Sequence, residues 1–445
     1  MRRFFLLIIF LILPAGVVAA PLAGPGYWID ALAAPDSVVL TPGEIEKLNR
    51  AITASVDQMA DVASMGDEVA GERLTGWLSF EPLPGLDAPR FSADGRLLGQ
   101  GFFESIRKNM AFDKVLASNP IAFGVVAARG DIRAFPSDKV VIKRPGGFDT
   151  FQYSSIAPGE AVALLHRSAD GEWGFFQTRF VRGWLRLDRV AFGERALLTP
   201  DEDGGFIVVT GSREAVYSDT ALKWPVMTLP MGSVLYLAGE RDVQDAPYYT
   251  VRFPAKSSGG LIWKTGYVDR RADVSEGFVP YTRRNIITQA FKMLGEEYGW
   301  GGAEGRRDCS AFIMDVFSSA GIFLPRNSSQ QGAAGLVRPG IGRAGEVTPG
   351  SIARALAGAD PGITLLALDG HIMLYLGAVD AKPHVIHQIW GYMSEAGLNE
   401  LKKVSVTGLD LGAGTEAGAF KERIRSVSEV TLRPSFIKEM PDDGL

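Results

Sequence analysis

The hydrophobic residues of this 445-residue chain change their spacing twice, and this limits the fold more than any other feature of the sequence. Between residues 21 and 120 they recur every three or four positions, which is typical of amphipathic helices. From about residue 121 they form short runs separated by turn residues, as in antiparallel sheets. The helical spacing returns at Thr282, and strand-like runs follow it. The sequence therefore predicts an α+β multidomain protein.

A capping sequence marks the first clear helix. Thr41-Pro42-Gly43-Glu44 supplies a capping threonine, a proline at the first helical position and a glutamate that can cap in return. The apolar face that follows consists of Ile45, Leu48, Ile52, Val56 and Met59. We therefore predict a helical N-terminal domain over residues 21–120.

The β-rich part repeats one layout at offsets of 81, 73 and 83 residues. The matching segments are Arg133–Pro136 with Glu214–Tyr217, Gly159–Val162 with Gly232–Leu235, and Gly183-Trp184 with Gly266-Tyr267. Such a repeat predicts two copies of one small β-barrel, over residues 121–200 and 201–280. One long β-sandwich is the alternative.

Charge and cysteine content exclude several classes of protein. The 46 basic and 51 acidic residues give a net charge of −5, so no basic field attracts nucleic acid. Cys309 is the single cysteine, which excludes an internal disulfide and a zinc site built on cysteines. The chain is predicted to fold on its hydrophobic cores alone.

The first twenty residues have the pattern of an export signal. Arg2 and Arg3 precede the apolar run Phe4–Leu13, and small residues end the segment at Ala19-Ala20. Residues 1–20 are therefore predicted to be a signal peptide, with an uncleaved anchor as the alternative. We expect an exported protein of the periplasm or cell envelope, without a stable membrane anchor after cleavage.

Cys309 lies at the start of a predicted helix, with Asp308 in the capping position. Unpaired backbone amides and the positive end of the helix dipole favour a thiolate at such a position. A nucleophilic cysteine is one interpretation of this position. A buried structural cysteine is the other, because cysteine packs like a small hydrophobic residue.

The positions of the histidines favour the interpretation of Cys309 as a nucleophile. Three of the four histidines, His371, His384 and His387, fall within seventeen residues. His371 could be the base for a thiol, and His387 on the neighbouring strand could orient it. His384 competes for that role but faces the other side of the strand. Clustered histidines can also bind zinc, yet neither HExxH nor CxxC spacing is present, so no metal and no cofactor is expected.

These residues resemble the NlpC/p60 family of cell-wall peptidases, which has a papain-like catalytic domain. The resemblance rests on Tyr298–Gly302, Asp308–Ser310, Pro325–Ser328, Gly370–Ile372 and His387. The helical N-terminus and paired β segments are similar to the subgroup with two bacterial SH3-like domains. The resemblance implies a papain-like α+β catalytic domain over residues 281–445.

The family implies a thiol protease that hydrolyses the γ-D-glutamyl–diaminopimelate bond of peptidoglycan stem peptides. Cys309 would attack the carbonyl, His371 would transfer the proton and His387 would orient His371. The Cys309 backbone amide and the Tyr298 hydroxyl would stabilise the oxyanion. The remaining expected substrate-binding residues are Trp300, Asp308, Ser310, Asn327 and Ser328. Loops of the first barrel would restrict which substrates enter.

One departure from the family pattern predicts the form of the substrate. Recycling members of this subgroup resemble one another in having aspartate where this chain has Asn327. That carboxylate can pair with the free amino group of the stem L-alanine, whereas a neutral amide suits the amide nitrogen of intact wall. The sequence therefore predicts a lysin that acts on polymeric peptidoglycan. The alternatives are a recycling endopeptidase for free stem peptides, a non-catalytic wall-binding protein and an acyltransferase.

Overall fold

The computed structural model describes residues 22, 24–84, 89–200, 204–238, 246–338 and 349–432. The predicted signal peptide at residues 1–20 lies outside this part of the chain. None of the helices described is long and apolar enough to cross a membrane.

The N-terminal part contains four helices and three short strands. They are α1 (Pro25–Asp30), α2 (Pro42–Ser55), β1 (Glu68–Ala70), α3 (Gly71–Leu78), β2 (Phe91–Ser92), α4 (Gln100–Asn109) and β3 (Ser118–Pro120). The predicted cap of α2 forms, because the Thr41 backbone N–H donates to the Glu44 carboxylate at 2.8 Å. These helices share their cores with later parts of the chain: α1 and α2 pack with the C-terminal domain, and α3 and α4 pack on the first β domain.

Eight strands form the first β domain. They are β4 (Ala122–Val126), β5 (Gly130–Arg133), β6 (Val141–Ile142), β7 (Gln152–Ile156), β8 (Ala161–Arg167), β9 (Trp173–Gln177), β10 (Arg182–Arg186) and β11 (Val190–Phe192). Seven of them make one sheet in the order β11-β4-β8-β9-β10-β5-β7, while β6 pairs with β2.

Seven strands form the second β domain. They are β12 (Phe206–Val209), β13 (Arg213–Tyr217), β14 (Pro225–Pro230), β15 (Val234–Tyr236), β16 (Tyr248–Ser257), β17 (Gly260–Asp269) and β18 (Val274–Glu276). They make two sheets, β15-β12-β18 and β14-β13-β17-β16, over one apolar cluster.

The two small SH3-like β-barrels expected from the sequence are present as SH3b-type β domains, whose sheets stay open within the described residues. In the first domain, β11 and β7 lie at opposite edges of the seven-stranded sheet. In the second domain, the two sheets bury their core by packing on each other. Such packing does not require the strands to close into a barrel.

The repeated segments occupy equivalent places in the two β domains. Gly159 and Gly232 begin corresponding turns with φ of 95° and 82°. Their backbone N–H groups donate to the carbonyls of Val126 and Val209 at 2.9 and 2.8 Å, each at the end of the domain's first strand. The first domain pairs β5 with β10, and the second pairs β13 with β17.

The C-terminal domain combines helices with a six-stranded antiparallel sheet. Its helices are α5 (Arg283–Lys292), α6 (Cys309–Ser318), α7 (Ser328–Gln331), α8 (Pro349–Ala357) and α9 (Phe420–Arg423). Its strands are β19 (Leu336–Val337), β20 (Thr364–Leu368), β21 (His371–Val379), β22 (Lys382–Ser394), β23 (Gly397–Gly408) and β24 (Ser426–Glu429), in the order β19-β24-β20-β21-β22-β23. Helix α6 packs against β21 and β22. The α+β multidomain class expected from the sequence is confirmed.

Candidate active site

Cys309 is the first residue of α6 and is buried, with 7% of its surface exposed. Asp308 caps the helix, and its Oδ1 accepts the backbone N–H of Ala311 at 2.9 Å. The Cys309 thiol donates to the carbonyl oxygen of Gly370 at a sulfur–oxygen distance of 3.9 Å. Gly370 precedes His371 in the turn between β20 and β21, so this turn brings the thiol beside the histidine strand.

Burial raises the pKa of Cys309 to about 12, and the negative charge of Asp308 acts in the same direction. A hydrogen bond from the backbone of Ile372 opposes this shift. The sequence predicted that the helix N-terminus would favour a thiolate, but desolvation outweighs the dipole here. Cys309 is therefore a neutral thiol at rest and needs a base.

The two strands β21 and β22 place His371 beside His387. The Nε2 atom of His371 lies 2.8 Å from Nδ1 of His387. His387 is fully buried, and its Nε2 lies 3.0 Å from Oγ1 of Thr407 on β23. All these bonds are satisfied when His371 donates to His387 and His387 donates to Thr407, which leaves Nδ1 of His371 free to accept a proton.

Both histidines of this pair are neutral at physiological pH. Burial, with a smaller contribution from the charge of Arg423, lowers the pKa of His371 to about 4. Burial also lowers the pKa of His387, with a contribution from His371. Since a neutral imidazole has a free lone pair, His371 can act as a general base on the thiol.

The other two histidines lie away from Cys309. His384 packs its ring against Trp28 of α1 at a centroid distance of 5.6 Å, and its Nδ1 bonds the Lys382 carbonyl. His166, in β8 of the first β domain, bonds the carbonyls of Met110 and Ala111, which directly follow α4. Neither ring is part of the hydrogen-bond chain of His371 and His387.

A buried arginine holds the start of α6 in place. Arg326 donates to Asp308 Oδ2 at 2.6 Å, to the Ser310 hydroxyl at 2.6 Å and to the Ser154 hydroxyl at 2.8 Å. Asp308 and Ser310, both expected to bind substrate, are thus bonded within the protein. Sequence reasoning missed Arg326 and Thr407, because no local pattern signals either contact.

An aromatic wall stands beside the cysteine. It consists of Tyr298, Trp300 and Trp390 of the C-terminal domain and Phe148 of the β6–β7 loop. Phe148 stacks on Trp300 at 4.5 Å and meets Trp390 edge-on at 4.7 Å. Burial raises the pKa of the Tyr298 hydroxyl, and the negative charge of Asp308 acts in the same direction, so the hydroxyl stays protonated and can donate. Phe148 and Trp390 were not identified from the sequence.

The first β domain also holds the glycine turn that carries Trp300. Gln152 donates to the Gly301 carbonyl at 3.0 Å, and Arg129 donates to the Gly302 carbonyl at 2.7 Å. Gly301 and Gly302 have φ of 58° and 75°, which only glycine adopts freely. These two bonds hold the first β domain, with its β6–β7 loop, beside Cys309. We call the site formed by Cys309, the two histidines and the aromatic wall the groove.

The side chain of Asn327 caps α7. Its Oδ1 accepts the backbone N–H groups of Ser329 and Gln330 at 2.9 and 3.3 Å. Ser328 follows it and is buried. The amide nitrogen of Asn327 remains as the donor that the side chain can offer to a ligand.

Metal binding needs several converging ligands. Among the residues that the structure describes, no group of three or more histidine, cysteine, aspartate or glutamate side chains could hold a metal ion. The chemistry of the groove is that of a thiol, an imidazole pair and hydrogen-bond donors.

Family models match two regions of the chain. Residues 295–388 match the NlpC/P60 family, and residues 146–186 match the SH3 domain of SH3b1 type. The first region contains Cys309, His371 and His387, and the second contains Phe148 and Gln152. The chain thus contains an NlpC/P60 domain and an SH3b-type domain, which confirms the resemblance expected from the sequence.

Individual proteins show the same similarity. The probable endopeptidases p60 of Listeria monocytogenes and Listeria seeligeri are each 48% identical to this chain over 50 residues, which is 11% of this chain. The match spans 10% of the length of these relatives. A solved NlpC/P60 endopeptidase from Photobacterium damselae subsp. piscicida has 17% identity and a TM-score of 0.70, covering 92% of this chain and 97% of that one. The similarity to this structure establishes the fold over most of the chain.

Proposed function

We propose that this chain, which carries an NlpC/P60 domain, is an exported cysteine endopeptidase that cleaves the γ-D-glutamyl–diaminopimelate bond of peptidoglycan stem peptides. The observation that carries the proposal is the hydrogen-bond chain His371–His387–Thr407 beside the buried Cys309. Export rests on the signal pattern of residues 1–20.

The residues of the groove divide the reaction into two steps. His371 Nδ1 takes the thiol proton as Cys309 sulfur bonds to the γ-carbonyl carbon of D-glutamate. The Cys309 backbone N–H and the Tyr298 hydroxyl donate to the oxyanion. His371 then protonates the leaving amine of diaminopimelate, and the C–N bond breaks. Water, deprotonated by His371, releases the acyl group as a carboxylate and restores the thiol.

We propose polymeric peptidoglycan as the substrate. Asn327 carries no charge, so this position does not demand a cationic partner, and its amide N–H group can donate to a carbonyl of the stem peptide. In intact wall the stem alanine nitrogen is an uncharged amide, so a neutral group suits it. Export to the envelope would bring the protein to this polymer.

One observation favours a second candidate, a recycling endopeptidase for free stem peptides. Phe148 brings the first β domain into contact with Trp300 and Trp390, so this domain forms one side of the groove and would limit its width. A narrow groove admits a free peptide more easily than one attached to glycan.

The test compares insoluble sacculi with the free tripeptide L-Ala-γ-D-Glu-diaminopimelate, and mass spectrometry identifies the products. The proposal expects release from sacculi by the wild type, none by folded Cys309→Ala, and unchanged activity with EDTA. Asn327→Asp keeps the helix cap and should shift preference towards the tripeptide. Cleavage of the tripeptide alone would establish the recycling candidate. Activity of Cys309→Ala would refute the cysteine mechanism, and no hydrolysis with wall binding would indicate a binding protein.

A further inference from the structure

A cavity of about 300 Å³ lies where the two β domains meet the C-terminal domain. We call it the junction cavity. Ser155 contributes to its wall from the first β domain, Arg213 and Ser233 from the second, and Asp315 and Ser318 from α6. Cys309, His371 and His387 are not among its lining residues, so it is separate from the catalytic groove.

The lining is rich in arginine. Six arginines reach the cavity, against the three carboxylates of Glu160, Glu304 and Asp315; the arginines are Arg129, Arg179, Arg213, Arg306, Arg307 and Arg326. Five of the six have a carboxylate partner within 4 Å. Arg213 has no carboxylate within 4 Å among the residues that the structure describes, although the negative charges of Glu296 and Asp315 act on it from farther away. It is therefore the arginine of the cavity without a direct ion pair.

Arg213 begins β13 and is solvent-accessible on the cavity side. One of its terminal nitrogens donates to the Gly305 carbonyl at 2.6 Å, which fixes the guanidinium at the wall. Burial lowers the pKa of Arg213, the nearby charge of Arg307 acts in the same direction, and the charges of Glu296 and Asp315 offset this only in part. A guanidinium held among protein atoms is stabilised by a hydrogen-bonded anion.

Neutral donors complete the wall. The hydroxyl groups of Ser155, Ser233 and Ser318 line the cavity and make no hydrogen bond to another residue in the described part of the chain. An oxyanion presents several acceptor atoms, which hydroxyl and guanidinium donors of this kind can satisfy together.

We propose that the junction cavity binds a small ligand with a phosphate or carboxylate group, and that Arg213 is its counterion. Binding there joins both β domains to α6, whose first residue is Cys309. The site goes beyond the proposed peptidase function and is independent of it.

Isothermal titration of the full chain with inorganic phosphate, and separately with citrate, tests the site at constant ionic strength set by sodium chloride. We expect one ion bound per chain. The titration that gives the lower Kd identifies phosphate or carboxylate as the preferred group. Arg213→Gln should weaken binding at least about tenfold, since a charge-assisted bond is lost. Arg213→Lys should retain binding, and Ser233→Ala should weaken it about fivefold.

Arg252→Gln is the matched control. Arg252 lies in the same β domain, bonds Thr265 at 3.0 Å and is outside the cavity lining. Its loss of charge should leave the affinity unchanged. Equal affinity in Arg213→Gln and the wild type, an equal loss in Arg252→Gln, or no binding of either anion would overturn the proposal. If Arg213→Gln does not fold, the Arg213→Lys and Ser233→Ala titrations decide the question.

Discussion

At the scale of single residues, the groove depends on which atom holds each proton. His371 has only one ring nitrogen left for the thiol, because Nε2 bonds His387 at 2.8 Å. Thr407 in turn occupies Nε2 of His387 at 3.0 Å. This chain couples the tautomers of the two rings and is the reason why His387, and not His384, is expected to orient the base.

We predict graded losses along this chain. General-base assistance is worth about 10²–10⁴ in rate, so His371→Ala should lose an amount near the upper end. His387→Ala should lose less, and Thr407→Val less again, because each acts through its neighbour. His384→Ala is the matched control and should retain wild-type kcat. Comparable losses at His384 and His387, measured as kcat on stem peptide, would contradict the assignment.

The resting protonation of the thiol predicts a pH dependence. The thiolate is the species that reacts with iodoacetamide, and burial raises the pKa of Cys309 to about 12. Below that pKa the thiolate fraction rises about tenfold for each pH unit. The alkylation rate should therefore rise continuously from pH 6 to pH 10. A plateau near neutral pH would instead indicate a thiolate–imidazolium pair.

At the scale of elements, the first β domain shapes the groove through several contacts, of which two lie nearest to Trp300. Gln152 holds the Gly301 carbonyl and Phe148 covers Trp300, so the domain acts on the turn that shapes the site. These contacts join the first β domain to the C-terminal domain. A movement between the two domains can therefore change the shape of the groove while α6 itself stays the same.

Gln152→Ala should lower kcat about fivefold, because the buried hydrogen bond to the Gly301 turn is lost. It should also lower the stability of the first β domain, where Gln152 bonds Arg133, Asp131 and Ser154. Gln177→Ala is the matched control in the same sheet. Gln177 bonds the Gln58 carbonyl at 2.9 Å, which belongs to the N-terminal part. It should alter stability and leave kcat unchanged; equal effects of the two variants on kcat would argue against a positioning role.

The turn at Gly232 joins the second β domain to α6. A Cβ there would lie 2.4 Å from the Cβ of Ser318, whereas a Cβ at the equivalent Gly159 meets nothing within 4 Å. Both residues have positive φ, so Gly159→Ala should cost about 1 kcal/mol of unfolding free energy from backbone strain alone. Gly232→Ala should cost about 1–3 kcal/mol more from overpacking. Unfolding in denaturant measures both free energies. An equal loss of unfolding free energy in the two variants would show that Ser318 of α6 moves aside at little cost.

At the scale of the whole molecule, one apolar core is shared by the N-terminal part, the first β domain and the C-terminal domain, and it also includes Met231 of the second β domain. It contains Leu48 of α2, Val126 of the first β domain and Phe312 of α6. The second β domain has its own cluster around Leu229. The N-terminal helices therefore stabilise the fold that holds Cys309, although they contribute no group to the groove.

Leu48→Ala should lower the unfolding free energy by about 2–5 kcal/mol, the usual cost of a cavity at a fully buried leucine. Because Leu48 shares its core with Cys309, the thiol should become reactive to a disulfide reagent at lower denaturant. Leu229→Ala removes an equally buried leucine from the second β domain. Early thiol exposure in this control as well would mean that the two cores unfold as one unit.

The sequence by itself determined the local parts of the site. Capping by Asp308 and Thr282, the strand Thr364–Leu368 and the turn before His371 all follow from residues a few positions apart. Such features depend on helix and strand spacing and on turn chemistry, which a short segment contains completely. The identity of the two matched domain types also followed from short motifs.

Only the tertiary structure decided which distant residues complete the groove. Phe148 meets Trp300, Arg326 bonds Ser154, and Thr407 bonds His387 across different domains or strands. No local spacing specifies these pairs, because each depends on how domains and sheets pack. The same packing buries Cys309 and raises its pKa above the value that its helix position predicts, since desolvation by surrounding atoms exceeds the effect of one helix dipole.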